Sequence, residues 1–96
     1  MNFTVDYFIA KFEAIPEEQW CSGDYSNSHG QHCAAGHCGE GRFTGVTPES
    51  QGLEAILHHR TAYINDGDGS DYKQPTPKQR ILAALRDVKA KQEFKP

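Results

Sequence analysis

The sequence lacks any long run of apolar residues, and no basic stretch precedes the apolar residues near its N-terminus. A membrane-spanning helix needs about 20 predominantly apolar residues, and a secretory signal peptide begins with positively charged residues. These two absences predict a cytoplasmic protein that has no membrane partner.

An excess of charge of one sign is also lacking, because ten basic and thirteen acidic residues are mixed along the chain and give a net charge of -3. Nucleic-acid binding depends largely on the release of counterions by clustered Lys and Arg side chains. The even mixture therefore predicts no nucleic-acid partner.

Large apolar side chains are few, since Leu, Ile, Val and Phe together number 17 of 96 residues. A chain of this length buries only about two thirds of the surface that it exposes when unfolded, so its core must be small. The low net charge supplies little repulsion, and we expect one folded domain over residues 1–96. Association into a homo-oligomer would help to offset the limited core.

The cysteine count is odd, so that Cys21, Cys33 and Cys38 cannot all pair within one chain. Thiols stay reduced in a cytoplasmic setting. We therefore expect free thiols or metal ligands before a disulfide.

Apolar residues recur at the three- and four-residue spacing of amphipathic helices in four segments. These segments cover residues 5–15, 32–38, 47–64 and 77–88. Between them lie stretches dominated by Gly, Asp, Ser and Asn, which favour turns. The pattern predicts an all-α fold, a compact single domain of about four helices with long loops rich in Gly, Asp and Ser.

Residues typical of helix starts precede three of these segments. Thr4, Thr47 and Thr76 are candidate N-caps, and Gln79 lies where a capping box places its second member. A short turn after Pro16 is expected to deliver Trp20 to the core.

The stretch SHGQHCAAGHCG, residues 28–39, contains three histidines and two cysteines. Thiolate and imidazole are the usual ligands of zinc, and a structural site needs four of them. The candidates are His29, Cys33, His37 and Cys38. Cys33 and His37 lie one helical turn apart, whereas Cys33 and Cys38 are about 140° apart on a helix. We expect no cofactor, and a zinc-stabilised domain is the alternative.

A cysteine-dependent hydrolase is a further alternative. Cys33 would begin the second helix, where the helix dipole stabilises a thiolate. His58 or His59 would then act as its base, with Asn65 or Asp66 as the orienting group.

The preferred interpretation of the same stretch is close packing. Cys33, Ala34 and Gly36 are small, which suits a helix that approaches its neighbours closely, and a buried cysteine behaves as a compact apolar residue. Trp20 is then an anchor of the core.

Residues 65–71, NDGDGSD, offer oxygen ligands of the kind that calcium prefers. An EF-hand loop counted from Asp66 would require glycine at Asp71 and glutamate at Pro77, so the motif fails. We favour a solvated turn in which Asn65 or Asp66 accepts backbone hydrogen bonds.

Four pieces of the chain together resemble a family of small, uncharacterised bacterial and bacteriophage proteins with a domain of unknown function. The pieces are Trp20, Cys33-Ala34-Ala35-Gly36, Ile64-Asn65-Asp66 and the segment from Pro77 to Leu85. The resemblance implies a compact helical accessory protein and no catalytic role for any residue.

These observations predict a small non-enzymatic binding or interaction protein that takes a small ligand or a protein partner. The candidate ligand-binding residues are Trp20, Cys33, His37, Asn65 and Asp66.

Overall fold

The computed structural model describes residues 3–68 and 71–93, and this part of the chain is compact and all-α, as the sequence predicts. It has five α-helices and no strand within those ranges, and none of these helices is long and apolar enough to cross a bilayer. The helices are α1 (Val5–Glu13), α2 (Ala34–His37), α3 (Pro48–Ile56), α4 (Thr61–Asp66) and α5 (Pro77–Glu93), and a 3-10 turn (Glu17–Gln19) follows α1.

The packing of α1 against α5 forms most of the core. The Thr4 hydroxyl accepts the N–H of Tyr7 at 3.1 Å and caps α1, which confirms the predicted helix start. Phe8 and Phe12 are fully buried in one cluster with Ile81 of α5. Each such side chain contributes about 1.5–3 kcal/mol when it leaves water.

Trp20 enters this core as predicted, through the 3-10 turn. Its ring lies edge-on to Phe12, with centroids 5.3 Å apart, and its indole N–H donates to the Ile15 carbonyl at 3.3 Å.

Thr76 donates a hydrogen bond from its side chain to the Glu17 carboxylate at 3.2 Å. The Thr76 hydroxyl also accepts the N–H of Gln79 at 3.1 Å, which confirms Thr76 as the cap of α5.

The expected single helix over residues 47–64 is wrong, because the chain breaks into α3 and α4. His58 and His59 both have positive φ, 56° and 62°, and turn the chain between the two helices. The Glu54 carboxylate accepts the N–H of Thr61 at 3.2 Å and so satisfies a donor at the start of α4. Leu57 and Ile64 remain buried, because α4 turns back onto α5.

Helix α2 is shorter than the predicted 32–38, because its two flanking cysteines are its caps. The Cys33 sulfur accepts the N–H of Gly36 at 3.4 Å, and Cys38 ends the helix. Gly36 is required by close packing, since a Cβ there would lie 2.0 Å from the Tyr25 carbonyl oxygen. The close-packing interpretation of Cys33, Ala34 and Gly36 is therefore consistent with the geometry of α2.

Candidate ligand-binding site

Asn65, at the end of α4, joins three segments through its side chain and is fully buried. Its Oδ1 accepts the N–H of Ala34 at 3.0 Å, and its Nδ2 donates to the Cys21 carbonyl at 2.9 Å and to the Asp66 carboxylate at 3.0 Å. We call this set of hydrogen bonds the Asn65 link. It commits both N–H donors of the amide.

The Asn65 link replaces a missing bond between two extended segments. Trp20 and His32 form a parallel bridge, in which the Cys21 N–H donates to the His32 carbonyl at 3.0 Å. In a regular parallel pairing the next bond would run from the Ala34 N–H to the Cys21 carbonyl. The Asn65 amide lies between these two groups, so the segments separate there and both backbone groups stay satisfied.

Asp66 fixes the next part of the loop. Its Oδ1 accepts the N–H of Gly23 at 2.9 Å as well as the Asn65 amide. On the other side of α4, the Arg80 guanidinium donates to the Asn65 carbonyl at 2.9 and 3.2 Å. The Asn-Asp pair is thus held on both sides, and both side chains accept backbone hydrogen bonds as predicted. The predicted solvated turn is wrong at Asn65, which is fully buried because its amide joins three segments.

A cleft of about 280 Å³ opens beside this arrangement, and we call it the Cys33 cleft. It is lined by Gly23, Asp24, Tyr25, Cys33, Arg42, Ala62 and Asp66. Four separate parts of the chain therefore meet there: the loop after Cys21, the start of α2, the 41–45 turn and α4. A second, shallower pocket of about 380 Å³ adjoins it, shares Asp24, Tyr25 and Arg42, and extends to Phe43.

Cys33 forms an inner part of the cleft and is only 6% exposed. Burial is the largest cause that raises the pKa of its thiol, and this outweighs the N–H donors of Gly36 and Ala35, which lower it. The thiol is therefore protonated at neutral pH, and its S–H has no acceptor among the residues that the structure describes. A protonated thiol is a weak nucleophile.

Carboxylates outnumber cations around the cleft. Arg42 is the lone cation in the lining, and its guanidinium is 3.9 Å from Asp24, with the two side chains 77% and 50% exposed. Interaction with the Glu40 carboxylate raises the pKa of the Tyr25 hydroxyl, and Glu54 adds to the effect. The potential inside the cleft is therefore negative.

Trp20 and His37 are not among the residues that line the cleft, and they pack against each other instead. Their ring centroids are 4.8 Å apart, and His37 Nε2 donates to the Gln19 carbonyl at 3.0 Å. Burial is the main cause that lowers the pKa of His37 to about 4, so this ring is neutral at pH 7. Of the five candidate ligand-binding residues, the structure brings Cys33 and Asp66 into the cleft and places Asn65 behind it.

The four candidate zinc ligands are not brought together. His29 is on an exposed turn, and Cys33 and Cys38 cap opposite ends of α2. Burial raises the pKa of Cys38 to about 12. Over residues 3–68 and 71–93, no three His, Cys, Asp or Glu side chains are placed to share a metal ion.

The arrangement expected of a cysteine hydrolase is not assembled either. His58 lines a different groove, of about 480 Å³, between the α3–α4 turn and α5. Neither His58 nor His59 is among the residues that line the Cys33 cleft. Cys33 therefore has no histidine base in the described part of the site.

The acidic stretch 65–71 is described only in part, since Gly69 and Ser70 lie outside the described residues. Gly67 ends α4 with a φ of 74°, and Asp71 pairs with Arg60 at 2.8 Å. Asp66 is turned toward the loop after Cys21 through its bond to Gly23.

Tyr25 and Arg42 are site residues that sequence reasoning missed. Both are on irregular segments, where hydrophobic periodicity carries no information. The sequence signal closest to Tyr25 is Gly36, in the piece Cys33-Ala34-Ala35-Gly36. The absence of a side chain at Gly36 leaves room for the Tyr25 backbone, so a glycine inside this helix indicates that another segment packs closely there.

Comparison of the chain with known proteins finds no matching family model, no matching curated protein and no matching solved structure. The resemblance to small bacterial and bacteriophage proteins therefore stays a prediction. The function has to be argued from the cleft itself.

Proposed function

We propose that this protein is a small non-enzymatic binding protein whose ligand occupies the Cys33 cleft. The observation that carries the proposal is the convergence of an aromatic ring, a guanidinium, two carboxylates and a buried thiol in one cleft of about 280 Å³. A concave site with a few placed polar groups is typical of small-ligand binding.

The rigidity of one wall supports this proposal. The Asn65 link and the Asp66–Gly23 hydrogen bond hold α4 against the loop after Cys21. A preorganised wall loses little conformational freedom when a ligand binds, and this raises affinity.

The protonated state of Cys33 supports binding over catalysis. A raised thiol pKa and the absence of a histidine from the described lining leave no route to a thiolate nucleophile. The described residues bring no set of metal ligands to the cleft that would supply another reaction.

The test is a thermal-shift screen of small metabolites, followed by titration calorimetry of the compounds that stabilise the protein. Ala62→Leu would fill part of the cleft and is expected to abolish binding, whereas Ala90→Leu, on an exposed part of α5, should leave it unchanged. Equal binding by the two variants would contradict the proposal.

Self-association is a second candidate, and the observation that favours it is Phe43, whose side chain is 98% exposed. It lies on a turn braced by the Gly45 N–H, which donates to the Gly41 carbonyl at 2.8 Å. A second copy that covered this ring would enlarge the small buried core of the chain. Sedimentation velocity should show an oligomer that Phe43→Ser dissociates, and a monomer at all concentrations would exclude this role.

A further inference from the structure

The lining of the Cys33 cleft has more negative than positive charge at short range. Asp24 and Asp66 each contribute a carboxylate, and Arg42 contributes the one guanidinium. A ligand that carries positive charge gains from such a lining, and the gain is larger in a concave site than on open surface.

Asp66 has one oxygen left for a ligand. Its Oδ1 accepts the N–H groups of Gly23 and Asn65, while Oδ2 has no hydrogen-bond partner within residues 3–68 and 71–93. The bonds at Oδ1 fix the position of the carboxylate of this lining residue, so Oδ2 is a preorganised acceptor.

The cation that the chain itself provides is loosely held. Arg42 approaches Asp24 at 3.9 Å, a long separation for an ion pair, and both side chains are at least half exposed. An exposed pair of this kind contributes little free energy. Arg42 therefore neutralises Asp24 only weakly, and it leaves Asp66 unpaired with any cation in the described part of the cleft.

The remaining lining suits an organic cation better than a metal ion. The Tyr25 ring can face a cation, and Ala62 and the Cys33 thiol offer soft, apolar contacts to a hydrocarbon body. The Cys33 side chain is more than nine-tenths buried, so it contributes to the lining as an apolar contact rather than as a hydrogen-bond donor.

Two carboxylates beyond the lining reinforce this preference. A hydrogen bond with Glu40 is the largest cause that raises the pKa of the Tyr25 hydroxyl, and the charge of Glu54 adds a smaller effect of the same sign.

We infer that the Cys33 cleft takes a small organic cation, with its charged group on Asp66 and its body between Tyr25 and Ala62. This inference rests on the proposed function and names the ligand class. The volume of about 280 Å³ lies at the low end for ligand pockets, so the compound is compact.

The experiment is titration calorimetry of the full chain with three probes of one shape and different charge: benzylammonium, benzoate and benzyl alcohol. Benzylammonium should bind at least about tenfold more tightly than either of the other two. Its affinity should fall as salt is added, because salt screens charge interactions.

Matched variants locate the charge that is responsible. Asp66→Asn keeps an Oδ1 acceptor for Gly23 and removes the charge, and it should weaken benzylammonium binding about tenfold. Asp68→Asn changes net charge equally but lies outside the cleft lining, and it should leave binding unchanged. Arg42→Gln removes the one positive charge in the lining and should strengthen binding about threefold.

Three results would overturn the inference: no binding of benzylammonium, equal binding of the three probes, or equal affinities of Asp66→Asn and Asp68→Asn. Binding of benzoate or benzyl alcohol that Ala62→Leu abolishes would overturn the cation preference and leave the proposed function standing. Binding of any probe that Ala62→Leu leaves unchanged would contradict both.

Discussion

The two ends of α2 use the same kinds of residue in opposite ways. At the C-terminal end His37 packs against Trp20 and donates to the Gln19 carbonyl, so its polar atom is committed to the backbone. At the N-terminal end Cys33 lines an open cleft. The density of His and Cys in the sequence is therefore no guide to function by itself. What distinguishes the two ends is whether the side chain packs against the core or faces a cleft.

The Asn65 link joins the segments on either side of the cleft wall, and removing it should give the largest effect. Asn65→Ala leaves the buried Ala34 N–H and Cys21 carbonyl without partners, and we expect a loss of about 3–5 kcal/mol in the free energy of unfolding. Urea denaturation measures it. Gln51→Ala, an exposed substitution on α3, is the control and should change stability little. A loss below about 1 kcal/mol for Asn65→Ala would show that the link is dispensable.

The contact between α2 and Tyr25 forms the edge of the cleft and predicts the next largest effect. Gly36→Ala places a Cβ against the Tyr25 carbonyl and should destabilise the protein by about 2–3 kcal/mol. Gly30→Ala separates this clash from backbone strain, because Gly30 has a φ of 75° and open space around its Cα. It should lose only about 1 kcal/mol. If urea unfolding showed equal losses of stability for Gly36→Ala and Gly30→Ala, the predicted clash with the Tyr25 carbonyl would be contradicted.

The burial of His37 against Trp20 predicts a pH dependence of the free energy of unfolding. Burial lowers the pKa of His37 from 6.5 to about 4, so between these values the unfolded chain binds a proton that the folded chain does not. Stability therefore falls as pH drops from about 6.5 to about 4 and is lost no further below that. The ring is half-buried, so solvent screening limits the loss to about 1–2 kcal/mol.

This dependence is measured as the difference in urea unfolding between wild type and His37→Gln at several pH values. Gln retains a donor for the Gln19 carbonyl and does not titrate, so the variant should show a shallower decline. Parallel curves for the two proteins would mean that another group is responsible.

Thiol labelling compares the accessibility of the three cysteines directly, and we expect it to show the smallest effect. The thiol pKa is raised in all three cysteines, but Cys33 and Cys38 are buried whereas Cys21 is partly exposed. At neutral pH, maleimide should modify Cys21 first and the other two only after unfolding. Mass spectrometry of the labelled peptides distinguishes the three sites. Fastest modification at Cys33 would revive the thiol-nucleophile interpretation.

The elements with local signals could be predicted from the sequence. The hydroxyls of Thr4, Thr47 and Thr76 each accept a backbone N–H three residues on, as their positions before apolar periodic segments predict. The break at His58 and His59 could not be predicted. Two short helices that both pack inward bury Leu57 and Ile64 as one long helix would, so periodicity does not distinguish them.

The cleft was predictable only in part. Cys33 and Asp66 stand in motifs that can be recognised in the sequence, and both line the cleft. Tyr25 and Arg42 reach it through long-range contacts between irregular segments, which no local pattern encodes. Asn65 substitutes for a backbone hydrogen bond because the segments at Cys21 and Ala34 separate from each other. No local sequence pattern predicts how far apart these two segments lie.

The most direct test of the account is a ¹H–¹⁵N spectrum titrated with the compound that most stabilises the protein in the thermal-shift screen. The account predicts shifts concentrated at the amides of Gly23, Tyr25, Cys33 and Asp66, which line the Cys33 cleft. Shifts concentrated instead at His58, Arg60 and Val88 would place the ligand in the groove beside α5 and would contradict the assignment of the cleft as the binding site.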